Sequence, residues 1–204
     1  MEPNAPPIPV IPALPQFTPE NLVELDSARR GARKVRRAVS VANFDGWTLA
    51  IFGAITLAMG LSDATNILLS LGLGAVAYVE LRNAARLKRL QADAARTLGF
   101  NQLALAGILI VYAVWQLHAA SRPGGAAAAA GISDPDIAQM LNSVQGQSLI
   151  NSAVNAIYGA LILIAVFAQG SMALYYFTRV RMIRAYVAKT PAWIIKLQEA
   201  GFAL

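Results

Sequence analysis

The chain has 204 residues, of which 56% are hydrophobic and only 14% charged, and its mean hydropathy is +0.49. A soluble globular domain carries about 25% charged residues, so this composition excludes a soluble domain and leaves no room for a separate soluble enzyme beside the membrane part. The absence of cysteine excludes disulfides, thiolate metal sites and cysteine nucleophiles, and the net charge of +6 has its ordinary cause in the basic rim of a membrane protein, with no nucleic acid among the expected partners.

Residues 1–18 form a proline-rich arm. Pro3, Pro6, Pro7, Pro9, Pro12 and Pro15 favour extended polyproline II over helix or sheet. Ile8, Val10, Ile11, Leu14 and Phe17 alternate with them. This suits either an arm lying in a partner's groove or a solvated tail. The amino terminus has no basic n-region and no apolar h-region, so the first membrane helix is expected to be an uncleaved anchor.

Thr18 and Pro19 have the residue types of an N-cap and a first helical position, and Glu20 and Glu24 suit the positive end of a helix dipole. A basic amphipathic helix is predicted over 19–43. Its stripe is Leu22, Leu25, Ala28, Ala32, Val35, Val39 and Ala42, and Arg29, Arg30, Arg33, Lys34, Arg36 and Arg37 cover the rest. Such a helix suits the interface of an anionic leaflet.

A transmembrane hairpin is predicted over 44–81. Gly46–Ser62 and Ala64–Val79 are free of charge, with Asp63 between them as a turn residue. A span needs about 20 residues, so each helix borrows from its flanks. Gly46, Ala50, Ala54 and Ala58 recur every fourth residue, as do Ser70 and Gly74, which predicts small-residue ridges for helix packing. Asp45 and Glu80 fall near the ends of these spans, within reach of pairing with Arg37 and Arg82.

Residues 82–98 read as a basic helix continuing the second span. Arg82, Arg86, Arg89, Asp93 and Arg96 share one face, and Leu87, Leu90, Ala94 and Leu98 another. Gly99 is expected to end it. The third span follows over 99–120, with Asn101 and Gln102 at its basic end and Trp115 near the opposite interface. His118, the single histidine, has no second ligand beside it and does not by itself suggest a metal site.

The loop 121–151 opens with the low-complexity run SRPGGAAAAAG. A short amphipathic helix then follows, capped by Ser133 or Asp134 and carrying Ile137, Met140, Leu141 and Val144 at helical spacing. No charge occurs from Ile137 to Thr178. Gly146 divides this run, and the fourth span is predicted over 152–178 with a ridge of Ser152, Ala156 and Ala160. Tyr175, Tyr176 and Phe177 mark its exit. The segment 179–204 is basic, through Arg179, Arg181 and Arg184. It ends in an interfacial helix capped at Thr190–Pro191 with Trp193, Ile194, Ile195, Leu197 and Phe202.

Sixteen of the seventeen Lys and Arg fall in three segments, and Arg122 alone falls in the outer loop. Four crossings bring all three segments to one side, which the positive-inside rule makes the cytosol. The expected fold is therefore all-α: an integral membrane four-helix bundle of two hairpins, with interfacial amphipathic helices at both ends. The expected location is the bacterial inner membrane, with both termini cytosolic.

No motif for metalloprotease, serine hydrolase or P-loop chemistry is present, and no ionisable residue lies at mid-depth in a predicted span. Three functions are weighed. The first is a non-catalytic accessory or scaffolding subunit, needing no cofactor, with lipids, other membrane subunits or copies of itself as partners. Arg29, Arg30, Arg33, Arg37, Arg82, Arg86, Arg89, Arg96, Arg179, Arg181 and Arg184 would then contact anionic lipid. The second is an oligomeric channel or carrier subunit with a polar path of Asn66, Gln116, Asn155 and Gln169. The third is a headgroup enzyme using Asp63, or Asp134 and Asp136, near the outer surface.

Overall fold

The computed structural model describes residues 18–61, 64–122 and 144–200. The proline-rich arm, Asp63, the amphipathic helix expected around Ile137–Leu141, with Asp134 and Asp136, and Phe202 lie outside the described residues.

Every element among the described residues is helical: α1 (Pro19–Met59), α2 (Ala64–Lys88), α3 (Ala92–Ala120), α4 (Val144–Ile164), a π-helical turn (Ala165–Gln169), α5 (Gly170–Lys189) and α6 (Ala192–Glu199). Among the described residues four helices are long and apolar enough to cross a membrane: α1, α2, α3 and the continuous run Ser148–Lys189. Their outward surfaces carry Phe52, Ile55, Leu71, Val111, Ile157 and Phe167, all exposed. In water such a band would be costly; in hydrocarbon it is the ordinary surface. The chain is an integral membrane protein of multi-pass helical character.

α1 begins as its residues dictate. Thr18 is extended, its hydroxyl accepts from the Asn21 N–H at 3.4 Å, and Pro19 occupies the first turn. The helix then runs without interruption for 41 residues, about 60 Å, or twice the hydrocarbon thickness. The basic helix expected over 19–43 and the first span are thus one element, because nothing between Asn43 and Trp47 breaks a helix. The basic half continues along the axis of the span and does not turn into the plane of the interface as a separate piece.

α2 and α3 are not continuous through 82–98, as the sequence suggested. α2 stops at Lys88 and α3 starts at Ala92. Leu90 takes φ 61. The Gln91 N–H reaches the Arg86 carbonyl at 3.3 Å and the Leu90 N–H reaches that of Leu87 at 3.0 Å, a Schellman ending with leucine where glycine is usual. The strain of a left-handed leucine, about 1–2 kcal/mol, is offset by burying its side chain to 8% exposure in the core. Gly99 does not end a helix. It is buried within α3, where a Cβ would meet the Phe177 ring at 2.6 Å. Its missing side chain lets α5 approach.

The largest core sits at the basic end. Val35, Ala38, Ala42, Ala84, Leu87, Leu90, Ala94, Ala95, Leu98, Tyr176 and Ile183 form it, from α1, α2, α3 and α5. α6 closes this end. Ile194 is fully buried, the Trp193 indole donates to Glu24 at 3.2 Å, and the Tyr186 hydroxyl bonds Gln198 and the Ala28 carbonyl. The short terminal helix therefore turns Ile194 onto the protein, where an interfacial helix would turn it onto lipid. Its N-cap residue Pro191 supplies no side-chain bond, while the Thr190 hydroxyl bonds back to the Tyr186 carbonyl at 2.7 Å. Deeper in the apolar half the cores are thin: Leu73, Val76 and Leu105, then Ala120 with Val154.

Candidate functional site, a buried polar centre

Charge is absent from residues 46–59, 64–79, 97–120 and 144–178. Asp45 and Glu80 therefore stand at the first charged level below the apolar zone. Phe44, Trp47, Tyr78 and Phe100 surround that level and are all exposed, as an interfacial aromatic belt would be. At this height four helices converge on one polar cluster.

Glu80 of α2 is fully buried. One of its oxygens accepts from Asn101 Nδ2 at 2.6 Å; the other accepts from Gln102 Nε2 at 3.1 Å and from the Tyr176 hydroxyl at 3.3 Å. Gln102 Nε2 also donates to Asp45 Oδ2 of α1 at 2.5 Å. Asn101 Nδ2 donates in addition to the Val76 carbonyl at 3.0 Å. α1, α2, α3 and α5 each supply a member. The local reason is spacing: Asn101 and Gln102 are adjacent on α3, so two amides meet one carboxylate. On α1, Gly46 makes the approach possible, since a Cβ there would stand 2.9 Å from the Leu81 side chain and 3.2 Å from Glu80 Cβ.

The electrostatics are unusual for a buried carboxylate. The pairing expected with Arg37 and Arg82 is not formed. Both arginines are exposed, and the two ion pairs found among the described residues are Arg30–Asp26 at 2.8 Å and Arg184–Asp93 at 3.7 Å. Long flexible guanidinium groups stay in water, where their hydration is retained, and leave the carboxylates to neutral donors. Asp45 and Glu80 both lie within 3.1 Å of one amide nitrogen. Two full charges roughly 5 Å apart at an effective dielectric of ~20 would repel by about 3 kcal/mol. Gln102 Oε1 is buried and has no hydrogen-bond donor.

The residues singled out by sequence are distributed differently. Gly46 and Ser70 are buried at the α1–α2 contact, and Ala50 is half-buried, but Ala54 and Ala58 are exposed. A strict four-residue repeat advances about 40° per step around an α-helix, so the ridge drifts off the contact face by Ala58. Gly53 takes its place, with Leu73 Cβ 3.4 Å from where its own Cβ would stand. Gly74 is exposed, as are Ser152, Ala156 and Ala160; on that stretch Val154 is the buried residue.

The amides of the expected polar path are not gathered within one chain. Gln116 bonds the Tyr112 hydroxyl at 3.1 Å, Asn155 is exposed, Asn66 packs beside Gly60, and Gln169 lies in the π-helical turn. No hydrogen bond joins any two of them. Arg29, Arg30, Arg33, Arg37, Arg82, Arg86, Arg89, Arg96, Arg181 and Arg184 are exposed on the basic end. Arg179 is half-buried, with its guanidinium 4.4 Å from the Tyr175 ring centre. His118 is exposed, and no group of metal-ligating side chains occurs among the described residues.

Tyr176 is the member that sequence reasoning missed. As the second aromatic of Tyr175–Phe177 it reads as an exit marker, yet it is fully buried. The signal was its register: Tyr176 lies seven residues before buried Ile183 and three after buried Ala173, on the inward face. A separate apolar cavity of about 900 Å³ lies between α2 and α3 in the charge-free half, lined among others by Leu68, Gly72, Ala104, Ile108, Tyr112 and Trp115.

Comparison with known proteins returns no matching family model, no matching curated protein and no matching solved structure.

Proposed function

We propose that this protein is a non-catalytic multi-pass membrane protein, an accessory or scaffolding subunit of a larger membrane assembly or of a homo-oligomer. In this reading the four spans form a four-helix bundle in a bacterial inner membrane, with both termini and the basic end in the cytosol. The observation that carries it is the inward use of the polar side chains best suited to chemistry. Glu80, Gln102 and Tyr176 are each fully buried, with Gln102 and Tyr176 both donating to Glu80, where no substrate reaches them. The exposed arginines then form a basic surface just beyond the aromatic belt. It suits anionic headgroups or an acidic face of a partner.

The second reading, a channel or carrier subunit, rests on Asn66, Gln116, Asn155 and Gln169 sharing a water-filled path, which would require several copies. Purification in mild detergent separates the two. A stoichiometric complex containing another membrane protein, or a homo-oligomer that leaves liposomes tight, is the expected result. A pure homo-oligomer that raises ion flux in liposomes would overturn the scaffold reading in favour of the channel.

A further inference from the structure

Several features of the polar centre are left unexplained by helix packing alone. Two carboxyl groups share one amide nitrogen, at 2.5 and 3.1 Å. The oxygen of that same amide, on a side chain with no exposed surface, has no donor. Among the described residues no cation forms an ion pair with either carboxyl group. α1 contributes Asp45, α2 contributes Glu80, and α3 contributes only the neutral Asn101 and Gln102. α5 contributes Tyr176, whose ring meets that of Tyr175 edge-on at 5.4 Å, and the Arg179 guanidinium stacks 4.4 Å from the Tyr175 ring centre and forms no ion pair with the cluster.

The orientation of the two amides is not equally constrained. Asn101 Nδ2 donates to the Val76 carbonyl, and a carbonyl only accepts, so that amide is fixed. Both partners of Gln102 Nε2 are carboxyl groups. A carboxylate accepts, but a carboxylic acid also donates. Gln102 is therefore free to present either its nitrogen or its oxygen to them, according to whether a proton is there.

We propose that Asp45, Gln102 and Glu80 are a proton-binding site. One proton adds to the Glu80 carboxylate, a new O–H bond forms, and the pair loses one negative charge. The Gln102 amide turns only far enough for its oxygen to accept from the Glu80 O–H while its nitrogen keeps donating to Asp45, which pairs the buried acceptor without leaving a buried N–H unpaired. Asp45 is half-buried and keeps the amide bond; its exposed side is the route by which the proton enters and leaves. An alkali cation fits less well. Both Glu80 oxygens already receive N–H or O–H donors, and a metal ion needs about six oxygens free to turn toward it.

The site stands independently of the scaffold reading, and its test reads neither assembly nor flux. The full chain in lipid nanodiscs is examined by infrared difference spectroscopy between acidic and alkaline buffer. A protonated-carboxyl C=O band is expected near neutral pH, absent in Glu80→Gln and shifted in frequency in Asp45→Asn and Gln102→Leu. No such band, or one that persists unchanged in Glu80→Gln, would overturn the assignment. Replacing potassium by sodium or lithium should leave the titration in place; a midpoint that moves with alkali concentration would make the occupant a metal ion and overturn the proton. Thermal unfolding gives a second readout. A folded chain that holds a proton the unfolded chain has released loses stability as pH rises. The wild-type melting temperature should therefore fall as pH rises, and Glu80→Gln, which keeps the shape without the titration, should flatten that slope. A wild-type profile as flat as the variant's would contradict the site.

Discussion

The basic end and the apolar half of this molecule are held together in different ways. At the basic end eleven buried side chains make one core, joined by four helices and closed by α6. In the apolar half the buried residues fall into groups of three and two, beside a cavity of about 900 Å³. The difference follows from the solvent. Outside the membrane, water drives apolar side chains inward, as in a soluble protein. Inside it, lipid is as apolar as leucine, so only close van der Waals contact and hydrogen bonds favour one helix against another. In the proposed placement the polar centre falls at the boundary, where a buried hydrogen bond is well shielded and a half-exposed carboxylate still reaches water.

The contrast can be broken by truncation. Leu98→Ala, in the basic core, should destabilise by about 2–5 kcal/mol, read by denaturant unfolding in detergent. Leu73→Ala, in the thin core, should cost less than half of that, because no water-driven term is lost. Equal costs would mean that the two halves are packed alike.

The polar centre should respond next most strongly. Glu80→Leu leaves the Tyr176 hydroxyl without its acceptor and takes one of two acceptors from each of the Asn101 and Gln102 amides, at about 1–3 kcal/mol per donor left unpaired. A loss of about 3 kcal/mol is expected for the variant, and about 1 kcal/mol for Glu80→Gln, which keeps the shape and one acceptor oxygen. An unchanged unfolding midpoint in Glu80→Leu would show that the cluster holds nothing together.

Glycines sharpen the same comparison at smaller scale. Gly99→Ala places a methyl against the Phe177 ring and should destabilise by about 1–3 kcal/mol. Gly107→Ala, where a Cβ meets nothing within 4 Å, should stabilise by about 0.5–1 kcal/mol through helix propensity alone. Smallest of all, Ala54→Leu and Ala156→Leu on outward faces should change monomer stability by less than about 0.5 kcal/mol. If instead they shift the oligomeric state in crosslinking, those faces meet another chain and not lipid.

These sites also show what the sequence could and could not disclose. The charge-free runs located the four described helices that are long and apolar enough to cross a membrane, because charge is costly in hydrocarbon wherever the chain folds. The start of α1 was legible at Thr18–Pro19, where capping is a local matter. Its continuity past Asn43 was not, since the sequence there merely lacks a breaker and composition alone changes. The turn at Leu90 was hidden because it uses neither Gly nor Pro; the tertiary core holds a leucine in a conformation its own backbone disfavours. Gly99 reads equally as a stop or as a close approach, and only the facing Phe177 decides. The polar centre was half legible. Asp45, Glu80, Asn101 and Gln102 all fell near one end of their spans, but joining them needed the rotation of each helix, and the flexible reach of Arg37 and Arg82 made a salt bridge look equally natural.

The claim on which the rest turns is that α1, α3 and α5 bring their basic ends to one face of the membrane. The chain contains no cysteine, so single cysteines report cleanly. Ser27→Cys, Ala185→Cys and Arg122→Cys should be labelled in intact cells and in inverted vesicles with a membrane-impermeant maleimide. Positions 27 and 185 should react from the same face and position 122 from the other. Labelling of 27 and 185 from opposite faces would contradict the packing of α1 against α5 and everything built on it.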